Sequence, residues 1–444
     1  MEETSTINSI TTYFIIISSL LMISLPRRLA IFPILIAACY ITLGQILVIA
    51  GLHFPVFRIL IFFGFLRLII RGEIYKLKLN HIDKAIIWWV IISIITGVLL
   101  EKSWDGFINR LGLAYSALGC YYLFRFLIRD RDDLLTLLKI LVIIIVPLTI
   151  SVIIEKTTSR NIFSIFGGVP EVTVIRDGRL RCQGAFRHPI LMGTFAATLI
   201  PLFFSLWFKN KGGKLFSMLG IICATIITFA SASSGPATAY IYGIIALMAW
   251  PFRYNMRIIR WLILIALISL HMIMKAPVWF LMARLGEQIG GGGWHRAEII
   301  TQAVTHFNEW WLIGTTYTAH WMPYSLTIIP NMVDITNQYI LEGVGGGIWR
   351  MGAFIIIIIL CFRELGKSNL ILKDQPIDLR IFSWSLGAAL FTHVMSFMSV
   401  SYFDQIIVFW YLLLAIISVF ISTINIPTKS EATPALIGEN WTGE

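Results

Sequence analysis

Arginine and histidine residues are concentrated in two segments of a chain that is otherwise dominated by apolar runs. The residues are Arg176, Arg179, Arg181, Arg187 and His188 in the first segment, and Arg284, His295 and Arg296 in the second. A guanidinium group is planar, always charged and able to grip two oxygen atoms, whereas an ammonium group is a point charge. Lysine is nearly absent from both segments. The use of arginine rather than lysine indicates a bound phosphate or diphosphate, with anionic lipid headgroups as the alternative ligand.

A second group of polar residues lies in "MVDITNQYILEG", residues 332–343, and comprises Asp334, Asn337, Tyr339 and Glu342. A carboxylate here could accept a proton from a sugar hydroxyl, while the amide and phenol could hydrogen-bond to sugar edges. In the alternative interpretation Asp334 or Thr336 caps a helix and Tyr339 anchors the chain at a membrane interface. These residues alone favour the alternative.

The elements that must position these residues are membrane helices. Of the 444 residues, 57% are hydrophobic and 13% are charged, and the mean hydropathy is +0.82. Repeated apolar runs are long enough to cross a hydrocarbon layer of about 30 Å as helices. They predict an all-α polytopic membrane protein, a bundle of about 12 to 14 helices. The predicted spans are residues 8–25, 29–50, 55–70, 84–101, 107–127, 134–154, 190–208, 215–231, 235–251, 261–274, 349–363, 381–397 and 406–423.

Alternate links between these spans are rich in lysine and arginine, which indicates the cytoplasmic side. The two arginine-bearing segments then fall on the outer side of the membrane. The predicted organisation is N-terminal helices in 1–154, a first outer loop in 155–189, central helices in 190–274, a large outer loop with an amphipathic helix in 275–348, C-terminal helices in 349–423, and a cytoplasmic tail in 424–444.

The sequence also argues against several classes of function. The five cysteines are scattered without a CxxC pair, so neither a disulfide framework nor a zinc site is predicted. No P-loop or HExxH motif is present. The net charge of +11 is explained mainly by the basic links, which indicates a membrane protein rather than a nucleic-acid-binding one. We therefore expect no metal, no cofactor and no nucleic acid.

Three stretches resemble the O-antigen ligase and O-antigen polymerase family of bacterial envelope glycosyltransferases. "RCQGAFRHPILMG" is similar to an Arg-x-x-Gly-x-Phe-x-x-Pro stretch that enters a membrane helix, and "SASSGPATAY" lies where the family has a Ser-Arg-Gly turn. "WHRAEIITQAV" through "DITNQYIL" resembles the large outer loop and the helix after it. The likeness covers about residues 175–365, and it implies a GT-C-like architecture.

The resemblance implies a metal-independent transferase of the bacterial cytoplasmic membrane whose active site faces outward. Its donor is a glycan on polyprenyl (undecaprenyl) diphosphate, and its other partners are a glycan acceptor, membrane lipid and polysaccharide export or chain-length proteins. Arg181 matches the diphosphate-binding arginine of the first loop, and Arg296 matches the arginine that opens the helix of the large loop. The expected substrate-binding set comprises these two residues with Arg187, Arg284, Asn337, Tyr339 and Glu342. The chain departs from the ligases at Thr336, where they carry histidine, and at Ser234, which replaces the arginine of the Ser-Arg-Gly turn.

These departures favour a polymerase of exopolysaccharide or O-antigen over a ligase, and they leave the proton acceptor open among Asp334, His188 and His295. The expected reaction is a direct displacement: an acceptor hydroxyl attacks the anomeric carbon, the lipid diphosphate leaves, and the configuration inverts. Arginines aimed at the leaving oxygen would stabilise its growing charge. The alternatives are a ligase, a transporter or flippase for a lipid-linked sugar, and a noncatalytic scaffold for an export complex.

Overall fold

The computed structural model describes residues 6–49, 52–209, 211–284, 293–323 and 331–424, and helices dominate it. The predicted tail, 424–444, lies almost wholly outside the described residues. The first helices are α1 (Ser9–Ser24), α2 (Phe32–Tyr40), α3 (Val56–Ile70), α4 (His81–Glu101), α5 (Trp104–Leu127) and α6 (Arg131–Thr158). Four central helices follow: α7 (Pro189–Ser205), α8 (Lys211–Ala230), α9 (Ser234–Met248) and α10 (Met256–Ile273).

The remaining described helices belong to the second arginine-bearing segment and to the C-terminal third of the chain. They are α11 (Gly293–Thr305), α12 (Phe307–Trp310), α13 (Gln338–Val344), α14 (Gly347–Ile371), α15 (Ile377–Phe397) and α16 (Ile406–Ile424). Two short hairpins complete the secondary structure, β1 (Ile46–Ile49) with β2 (Leu52–Pro55) and β3 (Ile175–Arg176) with β4 (Arg179–Leu180).

Six helices of the described part are long and apolar enough to cross a membrane: α4, α6, α7 with the helical turn that extends it to Phe208, α8, α10 and α16. Two shorter apolar helices, α1 and α9, stand beside them. The chain is therefore a helical membrane protein, as its composition predicts. In α7 and α16 most side chains are buried, and α7 packs against α8, α9 and α15.

The predicted span 29–50 is wrong as a single helix. The helix ends at Tyr40, and the chain continues through a turn into strand β1. At this turn the backbone of Gly44 lies so close to Gly168 that a Cβ on Gly44 would stand 2.7 Å from the Gly168 nitrogen. The hydroxyl of Thr42 donates to the carbonyl of Gly167 at 2.7 Å. Tertiary contacts with the first loop therefore end a run whose apolar composition alone predicts a longer helix.

Helix starts follow local capping chemistry. Asn80 accepts hydrogen bonds from the backbone nitrogens of Ile82 and Asp83, and the Asp83 side chain accepts from the Asn80 nitrogen, which forms a capping box at the start of α4. Ser103 and Asp130 cap α5 and α6 in the same way, each through its side-chain oxygen. These caps set the ends of the helices that flank the first half of the bundle.

At one end of the bundle the basic links are largely neutralised by acids. Arg27 and Arg28 both pair with Asp133, the latter at 2.9 Å from Nε to Oδ1. Arg131 pairs with Asp378 at 2.6 Å. The arginine-bearing loops meet at the opposite end, together with the link between α15 and α16. We call this opposite end the loop end.

The second arginine-bearing segment has a small hydrophobic core of its own. Its buried members are Ile299, Ala303, Trp310, Trp321, Met322, Val333, Ile335, Ile340 and Val344. The buried face of α11 therefore carries Ala297, Ile299 and Ala303, whereas Val304 is 60% exposed. This core holds α11 against α13 and so fixes the direction in which Arg296 leaves the helix.

Candidate functional site

Glu155, near the end of α6, holds the first loop in place. Its carboxylate accepts hydrogen bonds from the backbone nitrogens of Gln183 (3.1 Å) and Gly184 (2.9 Å) and from the hydroxyl of Thr173 (3.1 Å). The nitrogen of Cys182 donates to the carbonyl of Ala230 at 3.1 Å. These bonds fix the residues immediately after Arg181 between α6 and α8.

The loop so fixed places Arg181 against the start of α9. The side chain is buried, with 9% relative exposure, and its Nη2 donates to the hydroxyl of Ser233 at 2.8 Å. Its Nε is buried without a hydrogen-bond partner. A buried donor left unpaired is rare in folded proteins and is often met by a ligand or a solvent molecule.

Arg296 reaches the same place from the second segment. It extends from α11, and its Nη1 donates to the hydroxyl of Ser234 at 3.2 Å. Gly235 lies beside the guanidinium group: a Cβ there would stand 3.4 Å from Arg296 Nη2 and 3.3 Å from Val400 Cγ2. Two arginines from separate loops thus converge on adjacent serines. Together with Arg176 and His188, which interact electrostatically with them, Arg181 and Arg296 form what we call the cationic cluster.

In the cationic cluster, burial and like charge act on Arg181 and Arg296, while the exposed Arg176 pairs with Asp177 at 3.7 Å. Burial, and then the charges of Arg176 and Arg181, lower the pKa of Arg296 to about 10. Burial and the charge of Arg176 also lower the pKa of Arg181. Among the residues that the structure describes, neither Arg181 nor Arg296 forms an ion pair with an acid. Two desolvated guanidinium groups held side by side are unfavourable unless an anion neutralises them.

His188 belongs to the cationic cluster as a helix cap. Its Nδ1 accepts a hydrogen bond from the nitrogen of Ile190 at 3.2 Å, at the start of α7. Burial, together with the charges of Arg181 and Arg176, lowers its pKa to about 4, so the imidazole is neutral at pH 7. Because Nδ1 is the acceptor, the proton resides on Nε2. His188 is therefore placed to donate a hydrogen bond to an anion rather than to accept a proton.

His295 and Asp334 lie next to each other. The His295 Nε2 donates to the backbone carbonyl of Asp334 at 2.9 Å. Burial raises the pKa of the Asp334 carboxyl, and the neighbouring His295 opposes this shift. Since His295 directly precedes Arg296, the structure brings a carboxylate with a raised pKa close to the helix turn that carries the second arginine. A carboxylate with a raised pKa is suited to act as a general base.

The other residues of the "MVDITNQYILEG" stretch have structural partners. Asn337 caps α13 by accepting from the nitrogens of Tyr339 and Ile340, and its Nδ2 donates to the carbonyl of Met398. The Tyr339 hydroxyl donates to the carbonyl of Val394 at 3.0 Å. The buried Glu342 pairs with Arg350 at 2.7 Å and accepts from Trp89 Nε1 at 3.1 Å. These side chains orient α13 against α4, α14 and α15.

Arg187 and Arg284 are exposed, and no contact described by the structure joins their side chains to the cationic cluster. The backbone nitrogen of Arg187 donates to Asp404 Oδ2 at 3.1 Å. Asp404 has a left-handed backbone (φ 66°), its Oδ1 is buried without a partner, and burial raises its pKa to about 7. Asp404, Glu155 and Ser233 are functional candidates that the sequence pattern does not predict.

A cavity of about 580 Å³ lies beside Asp404, between α3, α4, α5, α13, α14 and α16. Its walls are mostly apolar and include Trp89, Phe354 and Trp410. Among its charged lining residues, Arg110 pairs with Glu101 at 2.6 Å and Arg350 pairs with Glu342 at 2.7 Å. The link between α15 and α16 separates the cavity from the cationic cluster: Val400 in this link faces Gly235, and Asp404 lines the cavity. The loop end therefore offers two distinct places for a ligand.

No protein-family model matches this sequence, and no curated protein is significantly similar to it.

Proposed function

We propose that this chain is a membrane glycosyltransferase that extends a glycan carried on polyprenyl diphosphate. The observation that carries the proposal is the meeting of Arg181 and Arg296 on Ser233 and Ser234, with no acid paired to either arginine in the described part of the chain. A diphosphate supplies the charge that these groups lack, and the forked guanidinium matches its oxygens.

In the proposed reaction an acceptor hydroxyl attacks the anomeric carbon of the donor glycan. The bond from that carbon to the diphosphate oxygen breaks with inversion, and its electron pair stays on the lipid diphosphate. Arg181 and Arg296 stabilise the negative charge that grows on the leaving group. Asp334 takes the proton of the acceptor hydroxyl. The lipid diphosphate is already an activated leaving group, so the transfer is metal-independent and needs no cofactor.

The polymerase is favoured over the ligase by the two places at the loop end. A polymerase brings together two lipid-linked glycans, and the cationic cluster and the mostly apolar cavity lie on opposite sides of one link. Thr336 also favours a polymerase, because ligases of the resembled family carry histidine at this position. The proposed architecture is the GT-C-like bundle of about 12 to 14 helices, with the loop end outside the bacterial cytoplasmic membrane.

The proposal is tested with the purified full chain in detergent and a polyprenyl-diphosphate oligosaccharide repeat unit. We expect products longer by whole repeat units, and free lipid diphosphate in equal amount. Replacement of both arginines, R181A with R296A, should end this elongation. A protein that releases no lipid diphosphate, but moves the lipid-linked sugar across a vesicle membrane, would instead be a flippase.

A further inference from the structure

A group of two histidines and one carboxylate lies outside the cationic cluster, in the segment between α11 and α13. His306 Nδ1 stands 2.7 Å from Glu309 Oε1, and His320 Nε2 stands 3.0 Å from both carboxylate oxygens. The three ligating atoms all lie within 4.8 Å of one another. His306 and Glu309 are three residues apart around α12, whereas His320 comes from a separate turn. We call these three residues the His-Glu-His group.

Neighbouring aromatic rings fix the orientation of this group. The ring of Trp321 stacks on His306 at an interplanar angle of 10°, and the ring of Tyr317 stacks on His320 at the same angle. Trp321 Nε1 also donates to Glu309 Oε2 at 3.0 Å. Residues that bind a metal commonly carry such outer hydrogen bonds, which hold the ligand in its binding orientation.

We propose that His306, Glu309 and His320 bind a zinc ion. Two imidazoles and one carboxylate form a donor set that suits zinc, and three protein ligands leave a fourth tetrahedral position for water. Ligand atoms of a tetrahedral zinc site stand about 3.3 Å apart, given bonds of about 2.0 to 2.1 Å. The contacts of 2.7 and 3.0 Å at the carboxylate need to open only slightly to reach this spacing.

The side chains are open enough for an ion to enter and sheltered enough to hold it, with relative exposures of 26% for His306, 31% for Glu309 and 35% for His320. The ion would join α12 to the turn at residues 319–321, and Trp310 and Trp321 of these elements belong to the small core that packs α11. Zinc would therefore stabilise the segment that carries Arg296. This site is separate from the proposed transfer reaction and is proposed independently of it.

The test uses the purified full chain without a histidine tag, dialysed against a chelator and then titrated with zinc chloride. We expect one zinc ion per chain by calorimetry, and a cobalt-substituted protein with the visible absorbance of a tetrahedral site. The variants H320Q and H306Q should each bind zinc more than about tenfold more weakly. The control H81Q removes an exposed histidine at the other end of the bundle and should bind as the original chain does.

A second measurement covers variants that fold poorly. Zinc should raise the thermal unfolding temperature of the original chain and of H81Q, and it should leave that of H320Q unchanged, because only binding to the folded state stabilises it. Absence of zinc binding by the original chain would overturn the proposal and leave the group as a hydrogen-bonded triad. Zinc affinities of H320Q and H306Q equal to that of the original chain would overturn it as well. Neither result depends on glycan transfer.

Discussion

Arg181 and Arg296 lie side by side at the start of α9, although they come from different loops. Burial, and then the charges of Arg176 and Arg181, lower the pKa of Arg296 to about 10, still far enough above neutrality to keep the group charged at pH 7. The fold thus maintains two like charges in contact with serine hydroxyls rather than with acids. A bound diphosphate would remove this repulsion.

Single replacement of either arginine by alanine should lower glycan elongation by about a hundredfold or more, as loss of one charge-stabilising donor does in other active sites. R181K and R296K should recover little, because an ammonium group cannot contact two oxygens at once. The measurement is the rate of repeat-unit addition by purified protein. R179A is the matched control, since Arg179 is exposed on the same hairpin and should leave the rate unchanged. Full activity of R181A would contradict the assignment.

The same arrangement predicts a gain in stability on removal of charge. R296M keeps an unbranched apolar stem but removes the guanidinium group and its repulsion from Arg176 and Arg181, so its thermal unfolding temperature should exceed that of the original chain in the absence of substrate. A diphosphate-bearing lipid should stabilise the original chain and not R296M. A lower unfolding temperature for R296M in substrate-free protein would show that Arg296 has a structural role instead.

Most helices could be located from the sequence because they coincide with long apolar runs. Twelve of the thirteen predicted spans overlap one continuous helix within a few residues at most ends; the exception is 29–50. In that region the short strands Ile46–Ile49 and Leu52–Pro55 are apolar, so by composition they cannot be told from a continuation of the preceding helix. Their strand conformation depends on pairing with each other and on the contact of Gly44 with Gly168, neither of which local sequence encodes.

The candidate site, too, could be predicted only in part from the sequence. Arginines could be singled out because charge stands out against apolar sequence, and Arg181 and Arg296 do meet. Glu155 could not, because an acid at the end of an apolar run looks like a solvated helix terminus. Its role becomes visible only when the backbone of Gly184 is seen to bind it. Asp404 was passed over for the same reason, as one charge in a short link.

Asp334 should control the pH dependence of the transfer. Its carboxyl must be ionised to accept a proton, and burial raises its pKa, so the rate should rise with pH through the range in which it ionises and then level off. D334N should be slow at every pH, and its rate should no longer show this rise with pH, the acidic limb of the profile. The measurement is kcat/KM against pH, with D374N, an exposed acid at the other end of the bundle, as the control. An unchanged acidic limb in D334N would assign the proton acceptor elsewhere, with His295 the next candidate.

Glu155 should be needed to hold Arg181 in place. E155Q keeps the size of the side chain but presents an amide N–H to the backbone donors of Gln183 and Gly184, so we expect a loss of about 1 to 3 kcal/mol of stability. Transfer should weaken together with donor binding, as the loop that carries Arg181 loosens. E171Q is the control, because Glu171 pairs with Arg160 at the exposed surface and contributes little. Equal unfolding temperatures for E155Q and E171Q would contradict this role.

Asp404 should make the folded chain less stable as the pH rises. Burial raises its pKa from 3.8 to about 7, so the folded state holds a proton that the unfolded state has already lost. The stabilisation is fully present below about pH 4 and disappears as the pH rises through 7. One pKa unit corresponds to about 1.4 kcal/mol, which bounds the effect at a few kcal/mol. D404N cannot ionise and should show a smaller fall in unfolding temperature between pH 5 and pH 8 than D374N, measured by thermal unfolding in detergent. Parallel curves for the two variants would show that Asp404 ionises normally in the fold.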